Sequence, residues 1–107
     1  MHRDNIASKI PASLPRELLE ELVCTGGTRI ERIISKGHTT PEGTWYDQDT
    51  SEWVMVVQGS ARLRFEEDDV LLSMQAGDWI TIPAHVKHRV EWTDPDRETI
   101  WLAVHYP

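Results

Sequence analysis

Cysteine is nearly missing from this chain of 107 residues: Cys24 stands alone. No intramolecular disulfide can form, so stability must come from a packed core, and the protein is expected in a reducing, cytoplasmic setting. Basic charge is also scarce, with 11 Lys and Arg against 18 Asp and Glu and a formal net charge of -7. No basic run exists to neutralise phosphates, which argues against nucleic acid and anionic membrane surfaces as partners. Long apolar stretches are absent, so no bilayer-spanning segment is expected. The first ten residues carry His2, Arg3, Asp4 and Lys9 and lack the apolar block of a signal peptide.

The length predicts one domain. Residues 1–28 read as an N-terminal arm with one short helix. Pro15 suits a first helical turn, Leu18, Leu19, Leu22 and Val23 form an apolar stripe, and Gly26-Gly27 would stop it. From residue 29 to 107 the pattern is β. Ala61, Leu63 and Phe65 alternate with Arg62, Arg64 and Glu66, the mark of a half-buried strand. Short strand-like runs at regular spacing, divided by turn residues such as Gly59-Ser60 and Asp94-Pro95-Asp96, predict a sandwich or barrel rather than βαβ units.

Two runs carry the chemistry. Gly77 to His88 reads as a turn, a strand, a corner at Pro83 and a histidine opening the next strand. Upstream, Glu52 opens Glu-Trp-Val-Met-Val-Val-Gln, which closes at Gly59. The Gly77, Pro83 and His88 spacing resembles the second motif of the cupin superfamily, with His85 at a position usually held by glycine. Glu52 and Gly59 resemble the second half of its first motif. The His-x-His pair of that motif is absent. Tyr46 and Gln48 stand there on one count, Trp45 and Asp47 on the other, and strand alternation lets only one pair face inward.

The resemblance covers roughly residues 29–107 and extends to small bacterial and archaeal single-domain cupins of unassigned function. It implies an all-β, cupin-type jelly-roll β-barrel, a pocket between two sheets for a small-molecule ligand, a homodimer, and a divalent first-row metal such as Fe, Mn, Ni or Zn. The metal candidates are His88, Glu52, Gln48 and Asp47, because imidazole and carboxylate oxygen together suit such ions. A metal-free alternative is acid–base isomerisation or epimerisation by His88 and Glu52 with Tyr46. Binding of a small polar ligand without chemistry is the third reading. His38 and His85 are candidates to cap or lid the pocket. Trp92, on the same strand face as His88 and Val90, is the candidate to line it. His105 shares a face with Trp101 and Ala103, and either face of that strand could be the inner one. Trp53, opposite Glu52 on its strand, suits a subunit interface.

Overall fold

The structure is a computed structural model that describes residues 1–107. Eight strands occur in chain order: β1 Leu18–Thr25, β2 Thr28–Ser35, β3 Ser51–Gln58, β4 Ser60–Phe65, β5 Val70–Gln75, β6 Trp79–Ile82, β7 His88–Thr93 and β8 Thr99–Tyr106. They form a five-stranded sheet in the order β1-β2-β8-β3-β6 and a three-stranded sheet in the order β5-β4-β7. The jelly roll is thus two facing sheets, and hydrogen bonding does not close them into a continuous barrel.

The expected N-terminal helix is a strand instead. Leu18–Thr25 pairs antiparallel with β2, and Gly26 (φ 55°) and Gly27 (φ 80°) form the two-residue turn between them. Two consecutive positive φ values match the twist of a tight hairpin, and glycine reaches them without a Cβ penalty. The glycine pair therefore joins two strands rather than ending a helix. An isolated helix here would have had no face to pack on, whereas the hairpin extends a sheet already built. A bulge between Glu21 and Val23 shifts the register midway, so the leucine stripe is not retained: Leu19, Leu22 and Val23 are all exposed, and of the three only Leu19 borders the cavity described below.

Ahead of β1, the arm is held by Arg32. This buried side chain on the outer face of β2 donates to the Ile6 carbonyl at 3.0 Å, the Ser8 carbonyl at 2.6 Å and Glu20 Oε1 at 2.7 Å.

Between the sheets, Val54, Val56, Ala61, Leu63, Met74 and Trp101 make the centre of the hydrophobic core. The chain passes from one sheet to the other at Gly59 (φ 90°). A Cβ there would lie 2.7 Å from Thr99 Cα and 2.9 Å from the Glu98 carbonyl oxygen. Only glycine permits this single-residue crossover. The core fills one end of the sandwich. At the other end the side chains become polar and a cavity opens.

Candidate functional site

The cavity measures about 250 Å³. Its apolar wall includes Ile33, Val54, Leu63, Ile82, Val90 and Trp101, and its polar wall carries Tyr46, Gln48, Glu52, His88 and His105.

One cross-strand row of the large sheet supplies most of the charge. Arg29 on β2 pairs with His105 on β8, His105 with Glu52 on β3, and Glu52 with Ile82 on β6. Residues opposite one another on a sheet face are close enough to interact. Glu31 lies two residues along β2 on the same face. Arg29 Nε is 3.3 Å from Glu31 Oε2, and Glu31 Oε1 is 2.8 Å from His105 Nε2. His105 Nε2 is also 3.9 Å from Glu52 Oε2, while its Nδ1 lies 3.2 Å from Gln48 Oε1. The inner face of β8 is therefore the one that carries Trp101, Ala103 and His105, all buried.

His88 enters from the opposite sheet. The Pro83 corner, with His85 at φ 64°, delivers it to the start of β7. A short bridge fixes its backbone: Tyr46 N–H donates to the His88 carbonyl at 2.7 Å, and His88 N–H to the Tyr46 carbonyl at 3.1 Å. His88 Nδ1–H donates to the Val86 carbonyl at 2.9 Å, which sets the tautomer and leaves Nε2 facing Glu52 Oε1 at 3.4 Å. That distance is an ion-pair contact rather than a tight hydrogen bond. Burial alone lowers the His88 pKa, but the Glu52 carboxylate and the Val86 carbonyl outweigh it, so the net shift is upward from 6.5. The cause is geometric. With Nδ1 already a donor, an unprotonated Nε2 would oppose its lone pair to an anionic oxygen, and a proton there relieves this.

Tyr46 is held above the ordinary tyrosine pKa of 10.0 by burial first and by the nearby Glu17 charge second, with the Thr40 hydroxyl opposing. Its phenol stays protonated across physiological pH. Glu17 reaches the cavity from the segment before β1 and accepts from Ser35 Oγ at 2.8 Å.

The open choice between the two residue pairs resolves towards Tyr46 and Gln48, which line the cavity. Asp47 points outward, where its Oδ1 meets His85 Nδ1 at 2.9 Å, with Asp49 Oδ1 3.6 Å from the other ring nitrogen. Asp47 and His85 are thus a surface pair and do not reach the cavity. His38 does not line it either. Its Nδ1 accepts from Lys36 N–H at 2.8 Å, so Nε2–H donates to the Leu14 carbonyl at 3.0 Å and ties down the segment leading to Glu17.

Trp92 lies on the outside, where the Arg62 guanidinium sits 4.8 Å from its ring centre. The reason is a bulge in β7. Val90 pairs with Leu63 but Trp92 with Arg62, so Glu91 is the extra residue and the alternation inverts after it. Sequence reasoning did not find Arg29, Glu31 and Glu17, and it left His105 undecided. The alternation of Arg29, Glu31 and Ile33 along β2 was visible, but nothing in it says which face turns inward.

The family model described as the cupin domain matches residues 32–105, and the chain belongs to this family. Across 99% of its length it superposes on a Ralstonia eutropha JMP134 protein proposed to be a mannose-6-phosphate isomerase, with a TM-score of 0.95, 45% identity and 98% of that chain covered. A cupin superfamily protein from Desulfitobacterium hafniense DCB-2 shares the fold at 17% identity and a TM-score of 0.74, over 91% of this chain and 83% of that one. A cupin with a double-stranded β-helix fold from Methanocaldococcus jannaschii does so at 19% identity and 0.71, over 92% and 87%. No curated protein matches the sequence.

Many cupins hold a metal, so the donor set here bears on the chemistry. Of the four candidate ligands His88, Glu52 and Gln48 line the cavity and Asp47 does not. No three His, Cys, Asp or Glu side chains converge as an ion requires. The donors are turned on one another instead: His88 towards Glu52, and His105 towards Glu31 and Gln48. This arrangement does not fit a preformed metal centre.

Proposed function

We propose that the cavity is an acid–base site that isomerises or epimerises a small polar hydroxycarbonyl compound. The observation that carries the reading is the placement of Glu52 between two imidazoles, one from each sheet, with the His88 tautomer fixed by Val86. Removing a proton next to a carbonyl requires a base at carbon and a proton donor at oxygen. The His88–Glu52 pair exchanges the proton, and the Tyr46 phenol donates to the developing oxyanion. Moving that proton to the former carbonyl carbon, with a parallel transfer from the neighbouring hydroxyl to the former carbonyl oxygen, gives the isomer without loss of atoms or electrons. The structural relative proposed to be an isomerase supports this reaction class.

The test is deuterium uptake from D₂O at the carbon beside the carbonyl, followed by NMR over a panel of aldoses, ketoses and their phosphates. Wild type is expected to exchange at least one of them. His88→Gln should lower the rate by about 10²–10⁴-fold, and Tyr46→Phe by about 10²-fold. No exchange with any member of the panel refutes the reading. A stoichiometric iron, manganese, nickel or zinc ion, lost in His88→Ala and required for exchange, would replace it with metal-centred chemistry.

The proposal extends to a homodimer in the cytoplasm. Trp79 is 60% exposed on the outer face of the large sheet, with its ring 6.0 Å from that of Trp53. Met55 pairs across from Trp79 and Leu102 on that face, and apolar surface of this kind suits a second copy. Cys24 is a free, exposed thiol, as a reducing compartment allows. No helix is long and apolar enough to cross a membrane.

A further inference from the structure

We infer that the cavity selects an uncharged polyhydroxylated carbonyl compound, a free sugar rather than a sugar phosphate. The choice of a carbonyl compound rests on the acid–base reading above; the discrimination against phosphate rests on the charges of the wall.

A phosphate monoester carries about -1.5 to -2 charges at neutral pH and presents three strong acceptor oxygens. Sites that bind it offer free Arg or Lys side chains, or backbone N–H groups at a helix N-terminus. This cavity has no lysine and no helix N-terminus, and the charge of its one arginine is offset by a neighbouring carboxylate. Its lining contains one arginine and no lysine. Arg29 is already engaged with Glu31 at 3.3 Å. Strands and connecting segments alone line the cavity, so no helix terminus points into it.

Against a phosphate stand Glu17, Glu31 and Glu52, all on the lining. Glu31 is offset by Arg29, and Glu52 is flanked by the two imidazoles, so both are next to a basic group. Glu17 is not, since its partner is the neutral Ser35 hydroxyl. An incoming dianion would therefore meet an uncompensated carboxylate in a half-buried space, where like charges repel more strongly than in water.

The same wall suits hydroxyl groups. Each hydroxyl donates once and accepts twice, and the lining supplies both partners: carboxylate oxygens on Glu17 and Glu52, donors on Tyr46 and Gln48. The Trp101 ring and the aliphatic wall face the C–H side of such a molecule. The volume of about 250 Å³ lies just under the roughly 300–1,000 Å³ of pockets for drug-sized ligands, which suits a single monosaccharide.

Calorimetry with the whole chain at pH 8 tests this, using D-mannose and D-fructose against their 6-phosphates. At least one free sugar is expected to bind about 10-fold or more tightly than its phosphate. Glu17→Gln keeps the bond from Ser35 but removes the charge, and it is expected to narrow that ratio about threefold or more through stronger phosphate binding. Equal or tighter binding of the phosphates, no binding of either free sugar, or an unchanged ratio in Glu17→Gln overturns the inference. Deuterium exchange confined to sugar phosphates would overturn it while leaving the acid–base reading standing. Tight binding of free sugars without any exchange would do the reverse.

Discussion

His88 is where chemistry and stability meet. Its pKa is higher in the folded chain than the 6.5 of an unperturbed imidazole. The sign follows directly: a raised folded pKa means that the native state binds the proton more tightly. The resulting stabilisation is complete below about pH 6.5 and is lost as pH rises through the folded value. The gap in melting temperature between wild type and His88→Gln should therefore shrink between pH 6 and pH 9. A gap that stays constant, or widens with pH, contradicts the ion pair with Glu52. At Gly59 the argument is steric. A methyl group there meets the Thr99 backbone at 2.7 Å and sits at φ 90°. Gly59→Ala should cost roughly 3 kcal/mol in urea unfolding, from backbone strain and overpacking together. A loss under 1 kcal/mol would show that the crossover can relax.

At the scale of elements, the arm and the bulges matter most. Arg32 joins the N-terminal segment to β2 through two carbonyls and Glu20. Arg32→Ala leaves these groups without their donor and should destabilise by about 2–3 kcal/mol. It should also expose the first ten residues to limited proteolysis before the strands are cut, and simultaneous cutting throughout would deny the arm a separate anchor. The bulge at Glu91 decides which tryptophan meets the ligand. Trp101 lines the cavity and Trp92 does not. Trp92→Ala is expected to leave sugar binding within about twofold of wild type, a change of under 0.5 kcal/mol, whereas Trp101→Ala should weaken it strongly in the same calorimetric assay.

For the molecule as a whole, the two faces of the large sheet have different tasks. The inner face carries the charged row of Arg29, His105 and Glu52, and the outer face carries Trp53 and Trp79. Light scattering behind size exclusion should find a dimer in wild type and a monomer in Trp79→Glu, because a buried unpaired carboxylate is costly at an interface. A wild-type monomer would remove the proposed interface without touching the cavity. The acidic net charge of -7 is not spread evenly in its effect. Within the cavity three carboxylates, Glu17, Glu31 and Glu52, stand against one guanidinium, Arg29, and that acidic excess is what turns the site towards uncharged ligands.

The amino-acid order determined what depends on neighbours along the chain. Alternation in β4, the corner at Pro83 and the glycines at 59 and 77 set the strands and turns, so the all-β fold and the roles of His88 and Glu52 as site candidates were legible. Gly26-Gly27 was legible as a stop but not as a hairpin, because a leucine stripe of that spacing serves helix and strand alike until a partner strand is present. Tertiary structure decided the rest. Arg29, Glu52 and His105 are distant in sequence and become one row only through the pairing of β2, β8 and β3. A single bulged residue moved Trp92 outside, and the turn into β3 chose Gln48 over Asp47. The physical reason is the twofold period of a strand: one inserted residue reverses every side chain after it, and only the sheet registers fix which face becomes the wall of the cavity.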